Sequence, residues 1–169
     1  MLRITKELIS GWLKDMGLSP TPAPDPNGNW HFAVAIPPNQ NERKVEVFGN
    51  KDMPRAVFIG ANTVISPEHV ATLMALDSDA KRQFATDLMT ALNREFVEYN
   101  VEYEPVTGDV KNFVVTAVRY DDGLTLDSFA RTVSSVFKAQ IAGIQCVQQH
   151  LGGTTPPGGE FAFRKLGMQ

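Results

Sequence analysis

Between Thr125 and Leu151 the chain spells one long helix, and that helix restricts the kind of fold that can hold it. Leu126, Phe129, Val133, Val136, Phe137, Ile141, Ile144, Val147 and Leu151 recur at three-to-four spacing. Thr125 offers a capping hydroxyl, and Leu124 is placed to pack on Phe129 as a hydrophobic staple. About 26 residues at 1.5 Å each make a rod of about 39 Å, long for a globular helix. Val136, Phe137, Ile141, Ile144 and Val147 cover more than one narrow stripe, so the rod needs cover on two sides. A sheet is one source of cover, and the upstream sequence supplies it.

A first helix is signalled by Thr5 as N-cap and by Leu8, Ile9, Trp12, Leu13 and Met16 on one face. Gly17 provides the left-handed stop, with Leu18 folding back on Leu13. Residues 19–29, SPTPAPDPNGN, form a proline-rich connector, because four alternate prolines suit neither a helix nor a central strand. Three short strands follow as an antiparallel meander: Trp30 to Ile36, Lys44 to Phe48 and Arg55 to Ala61. The first has a bulky face (Trp30, Phe32, Val34, Ile36) and a small one (Ala33, Ala35).

Ser66-Pro67 opens the next helical region with a capping hydroxyl and a first-turn proline. Asp77-Ser78-Asp79 interrupts and recaps it, and Phe84, Leu88, Ala91, Leu92 and Phe96 carry it to about Tyr99. Val101 to Pro105 and Phe113 to Tyr120 read as two more strands. The expected fold is α+β, with an antiparallel sheet of about five strands packed with helices in the order α-βββ-α(α)-ββ-α. Residues 1–151 form one domain in this reading. Residues 152–169 form a flexible tail carrying Phe161 and Phe163 as candidate contacts.

Chemistry is sparse. A pI near 5.6 and scattered Lys and Arg argue against an electrostatic nucleic-acid binder. The apolar runs are too short for a membrane span, and Arg3, Lys6 and Glu7 break any secretory signal pattern. A cytoplasmic chain is expected. One cysteine, Cys146, rules out an intramolecular disulfide framework and a cysteine zinc site. No phosphate-binding glycine loop or nucleophile elbow occurs, and no two histidines stand at helical metal-ligand spacing. His69 is expected at a helix surface, His31 as a satisfied structural histidine and Cys146 as a buried hydrophobe. Glu98, Glu102 and Glu104 read as the charged protection of an edge strand. No catalytic residue, cofactor or metal ligand is assigned.

The segments ELISGWLKDMGL, DPNGNWHFAVAI, LNREFVEYN and FVVTAVRYDDGLTLDSFARTV together resemble the type III secretion chaperone-like fold. Within it they are similar to the YbjN-like sensory-transduction regulators and uncharacterised prokaryotic relatives. The resemblance covers about residues 3–151 and is one of pattern. It implies an α+β sandwich, frequent homodimerisation and a binding role, and it carries no catalytic motif. The expected function is a non-enzymatic protein-binding or chaperone-like regulatory domain acting as a homodimer, with a possible protein or peptide partner. Ala33, Ala35, Phe137, Ile141, Ile144 and Val147 are its candidate dimer or partner surface. The competing expectations are a small-molecule-binding or enzymatic domain with a pocket near His31, and a regulatory subunit that uses its tail as the contact.

Overall fold

The computed structural model describes residues 3–24, 28–36 and 43–152. The elements run α1 (Lys6–Asp15), β1 (Pro20–Pro22), β2 (Gly28–Ala35), β3 (Lys44–Asn50), β4 (Met53–Val64), α2 (Pro67–Ala75), α3 (Ser78–Leu92), β5 (Glu98–Tyr103), β6 (Val110–Tyr120) and α4 (Leu126–Leu151). The strands form one six-stranded antiparallel sheet of order β1-β2-β3-β4-β6-β5. The fold is α+β, as expected. The count of strands is six rather than five, because part of the proline connector pairs with β2. Pro20 to Pro22 is tolerated there as a sheet edge, where a missing N–H can face outward.

The helix ends follow their residues. Thr5 Oγ1 accepts the Leu8 N–H at 3.2 Å. Gly17 has φ of 75°; its N–H reaches the Lys14 carbonyl at 2.8 Å and Leu18 reaches Leu13 at 2.9 Å. That pair of bonds is the glycine-terminated stop expected for this segment. Thr125 and Ser128 cap the start of α4 reciprocally. One boundary moved. α3 ends at Leu92 and β5 begins at Glu98, so Phe96 lies between them and is almost fully exposed instead of extending the helix. Residues 96–103 fit both periods, and pairing of Glu98 to Tyr103 with β6 decided the outcome.

The helices and one sheet face share a single core. Phe32, Val34, Val45, Val47, Val57, Ile59, Phe113 and Val115 point into it from the strands. Phe129, Val133, Val136, Phe137, Ile141 and Val147 come down from α4. α3 lies along α4, and α2 touches it as well. α1 brings Ile9 and Leu13, and its Trp12 ring sits 5.7 Å from Phe129. Gly143 lets α4 lie close to β6, because a Cβ there would fall 2.6 Å from the Phe113 ring. Among the described residues no helix is long and apolar enough to cross a membrane.

Candidate functional site

Strand residues alternate between faces, so the residues opposite the core share one outer surface. The register sets them in rows. His31 on β2 is opposite Phe48 on β3, which is opposite Phe58 on β4, which is opposite Val118 on β6. The next row runs Ala33, Glu46, Gly60, Thr116 and Glu98. Beyond it, Ala35 pairs with Lys44, and Asn62, Val114 and Asn100 continue across β4, β6 and β5. The Phe48 and Phe58 rings stack at 5.3 Å and 11°. The His31 ring meets Phe48 edge-on at 5.7 Å, and its Nε2 pairs with the Glu46 carboxylate. Among the described residues no helix covers this face; the core residues of β2, β3, β4 and β6 lie on the other one.

The six candidate surface residues divide. Ala33 and Ala35 stand on the open face, partly exposed. Phe137, Ile141 and Val147 are buried in the core and Ile144 packs against it. The wide apolar arc of α4 is therefore covered within one chain, by the sheet on one side and by α2 and α3 on the other. The reason for placing a second subunit on α4 disappears with that finding. Phe161 and Phe163 lie outside the described residues. The open face is also not merely small, since Phe48 and Phe58 rise beside Ala33, Ala35 and Gly60. Sequence reading did not single them out; their alternation with Val47, Val57 and Ile59 is the signal that assigns them to this face.

His31 is tied to Glu46 and Phe48 on this face, and the clefts found elsewhere are lined by other residues. His69 caps a different junction: its Nε2 donates to the Gly152 carbonyl at 2.8 Å, while Nδ1 accepts from Ser66 Oγ at 3.0 Å. His150 pairs with Asp87 at 3.0 Å and so joins α4 to α3. Burial pushes the Cys146 thiol up to about 11, which suppresses the thiolate needed of a nucleophile. Among the described residues no group of three or more His, Cys, Asp or Glu is arranged to hold a metal ion.

A second feature lies at the end of the sheet where β2 starts and β6 stops. Asp121 is buried and receives three hydrogen bonds from Arg55, two from Nε at 3.0 and 3.1 Å and one from Nη2 at 2.8 Å. These bonds hold the Asp121 carboxyl below the usual carboxylate range. Arg55 borders a cleft of about 550 Å³ whose wall also includes Trp30, Lys6 and Thr5. Neither the ion pair nor the cleft was foreseen from the sequence, because Arg55 and Asp121 are 66 residues apart and meet only through the β4–β6 register.

The sequence matches, over residues 5–147, the family described as uncharacterized conserved protein (DUF2299), and the chain belongs to that family. Nothing among curated proteins matches it. Two solved structures share its fold. An uncharacterized protein from Methanothermobacter thermautotrophicus aligns at 23% identity and a TM-score of 0.78, over 88% of this chain and 100% of that one. YbjN from E. coli, described as a proposed transcription regulator, aligns at 17% identity and a TM-score of 0.56, over 92% and 99%.

Proposed function

We propose that this member of the family is a non-enzymatic, protein-binding regulatory domain that works as a homodimer, its two copies meeting through the open sheet face. The observation that carries the reading is the Phe48–Phe58 stack on a face that no described helix covers. The six strands hold 47 residues, which at about 3.4 Å rise and about 4.8 Å spacing present roughly 770 Å², near the roughly 800 Å² per partner of a standard interface. Ala33, Ala35 and Gly60 allow two backbones to approach closely there.

The charges on this face are partly complementary under a two-fold axis. Lys44 stands on one side of Phe58, and on the far strand Asn100 shares its row, with Glu98 and Glu102 two residues to either side. A two-fold axis along the strands between β4 and β6 sets Phe58 against Val118 of the other copy. It also sets Lys44 over Asn100 of that copy, between its Glu98 and Glu102, while Glu46, already paired with His31, falls over Glu98. Paired faces of this kind follow the aligned packing of sheet sandwiches. The sheet edges suit a partner less well. β1 has only three residues with proline at both ends, and β5 carries Glu98 and Glu102. The regulatory part of the reading draws on the likeness to YbjN, and the non-enzymatic part on the absence of a catalytic motif in the sequence.

Light scattering on the purified chain tests it. The expected mass is twice the single-chain 18.6 kDa, falling to 18.6 kDa in Phe58→Glu with little change in melting temperature. A wild-type mass that stays at 18.6 kDa on concentration overturns the dimer. A dimer that survives both Phe48→Glu and Phe58→Glu overturns the face.

A further inference from the structure

We propose that the cleft between the start of α1 and the β2/β6 end of the sheet is a binding site for a small molecule that joins a planar ring to an anionic group. The inference goes beyond the dimer reading and does not rest on it.

The ring half of the argument is Trp30. Its indole lies against Gly49 on the neighbouring strand, where a Cβ would fall 2.6 Å from the ring. Only glycine at that position lets the indole lie flat over β3. The ring is partly exposed and lines the cleft, so a large apolar plane is fixed at the border of a polar opening. Fixed indole faces are good stacking surfaces for other planar groups.

The anionic half is Arg55. A guanidinium has five N–H groups in one plane. Asp121 takes one on Nε and one on Nη2, and this sets the plane of the fork. Three N–H groups remain, on a side chain that is 58% exposed at the cleft. An arginine oriented by a buried acid loses less rotamer freedom on binding than a free one, and its fork suits carboxylate or phosphate. Lys6 at the start of α1 and Arg3 ahead of it add positive charge, against Glu7. With Asp121 committed to Arg55, the balance along the cleft is positive on a chain of net charge −3. The volume, about 550 Å³, falls within the ordinary range for small-molecule sites.

Two ligand sources share this chemistry, a nucleoside monophosphate and an aromatic carboxylic acid, and one titration separates them. The chain has two tryptophans, so Trp12→Phe leaves Trp30 as the sole indole reporter. Adenosine monophosphate, indole-3-acetate, adenosine and inorganic phosphate are each added, with isothermal calorimetry as the second readout because indole-3-acetate itself fluoresces. The expected result is saturable binding of the nucleotide, the aromatic acid or both, at least tenfold weaker for adenosine and for phosphate. Lys6→Glu and Arg55→Lys should each weaken that binding at least fivefold. Arg55→Lys keeps a cation against Asp121, and thermal melts verify that both variants are folded. Absence of saturable binding by every probe up to millimolar concentration overturns the proposal. So does phosphate or adenosine binding as well as the joined molecule, or binding that both variants leave unchanged.

Discussion

Replacing Gly143 by alanine sets two physical effects of opposite sign against each other. Gly143 lies in the middle of α4, where helix propensity alone favours alanine by about 1 kcal/mol. The added Cβ, however, would sit 2.6 and 2.7 Å from Cζ and Cε2 of Phe113 and 2.9 Å from Cδ2 of Leu92. Carbon atoms prefer about 3.5–4.0 Å, so α4 or the ring must shift by nearly 1 Å. Neither has room: Phe113 and Leu92 are both fully buried. Phe113 is also held between Thr63 on β4 and Val101 on β5. Overpacking of this sort costs about 3 kcal/mol at the upper end of its usual range. The expected net loss is about 2 kcal/mol, a fall of about 4–8 °C in melting temperature for a chain of this size. Thermal melts followed by circular dichroism measure it. A double-mutant cycle with Phe113→Leu isolates the clash, since the two changes together should cost at least about 1 kcal/mol less than their sum. A melting temperature that rises by a few degrees in Gly143→Ala would refute the close-packing argument, because propensity would then have prevailed.

Three further outcomes are expected. Leu13→Ala and Phe32→Ala each remove a buried core side chain and should cost roughly 2–5 kcal/mol in chemical denaturation; two unchanged midpoints would dismiss the assignment of α1 and β2 to one core. Lys81 lies 2.9 Å from the buried Asp109 and lowers its carboxyl below the ordinary range. A carboxylate depressed in the folded state adds stability above its unfolded value of about 3.9, and that stability is lost as pH falls through the lower folded value. Asp109→Asn should therefore flatten the acid side of the stability–pH curve below about pH 4, and an unaltered curve would contradict the pairing. Cys146, with its thiol near 11, should carry only about one thiolate in a thousand at pH 8. Native protein should thus react slowly with a disulfide reagent and denatured protein quickly; fast native labelling would mean that the thiol is not buried.

The parts of the fold that were legible in the sequence are those fixed by neighbours in the chain. Thr5, Gly17 with Leu18, Ser66-Pro67 and Thr125 each act on backbone groups within a few residues, and all four occupy the helix ends expected of them. Strand faces were legible where alternation was clean, as in Phe32, Val34 and Ile36. Pro20 to Pro22 was missed as a strand because local preference says only that proline avoids a central position, and the edge was made available by β2. Phe96 was misplaced because its segment satisfies both periods, and the β6 edge settled the choice. The cover of the α4 stripe was not legible for a similar reason. Its apolar width is real, but α2 and α3 return across the sheet to cover it, and no local signal reports that return. Ala33 and Ala35 follow the alternation of β2 onto the face opposite Phe32 and Val34. The aromatic stack beside them needed the registers of β3 and β4, and the Arg55–Asp121 pair needed that of β4 and β6.

The position of β6 between β4 and β5 sets a timetable for folding. Val64 pairs with Asn112 and Ala56 with Tyr120, separations of 48 and 64 residues. The β2–β3–β4 meander, by contrast, pairs residues no more than about 22 apart in the chain. At synthesis rates of about 5–20 residues per second, β4 leaves the ribosome about 3–12 s before its partner strand is complete. During that interval the apolar edge around Val57, Ile59 and Ala61 lacks its β6 neighbour, and α2 and α3 are synthesised first. Loop closure over so long a distance is slow and exposes the nascent chain to strand pairing with other chains. Chaperone demand during synthesis, rather than the stability of the finished fold, is then the stage at which substitutions in β6 should first be felt.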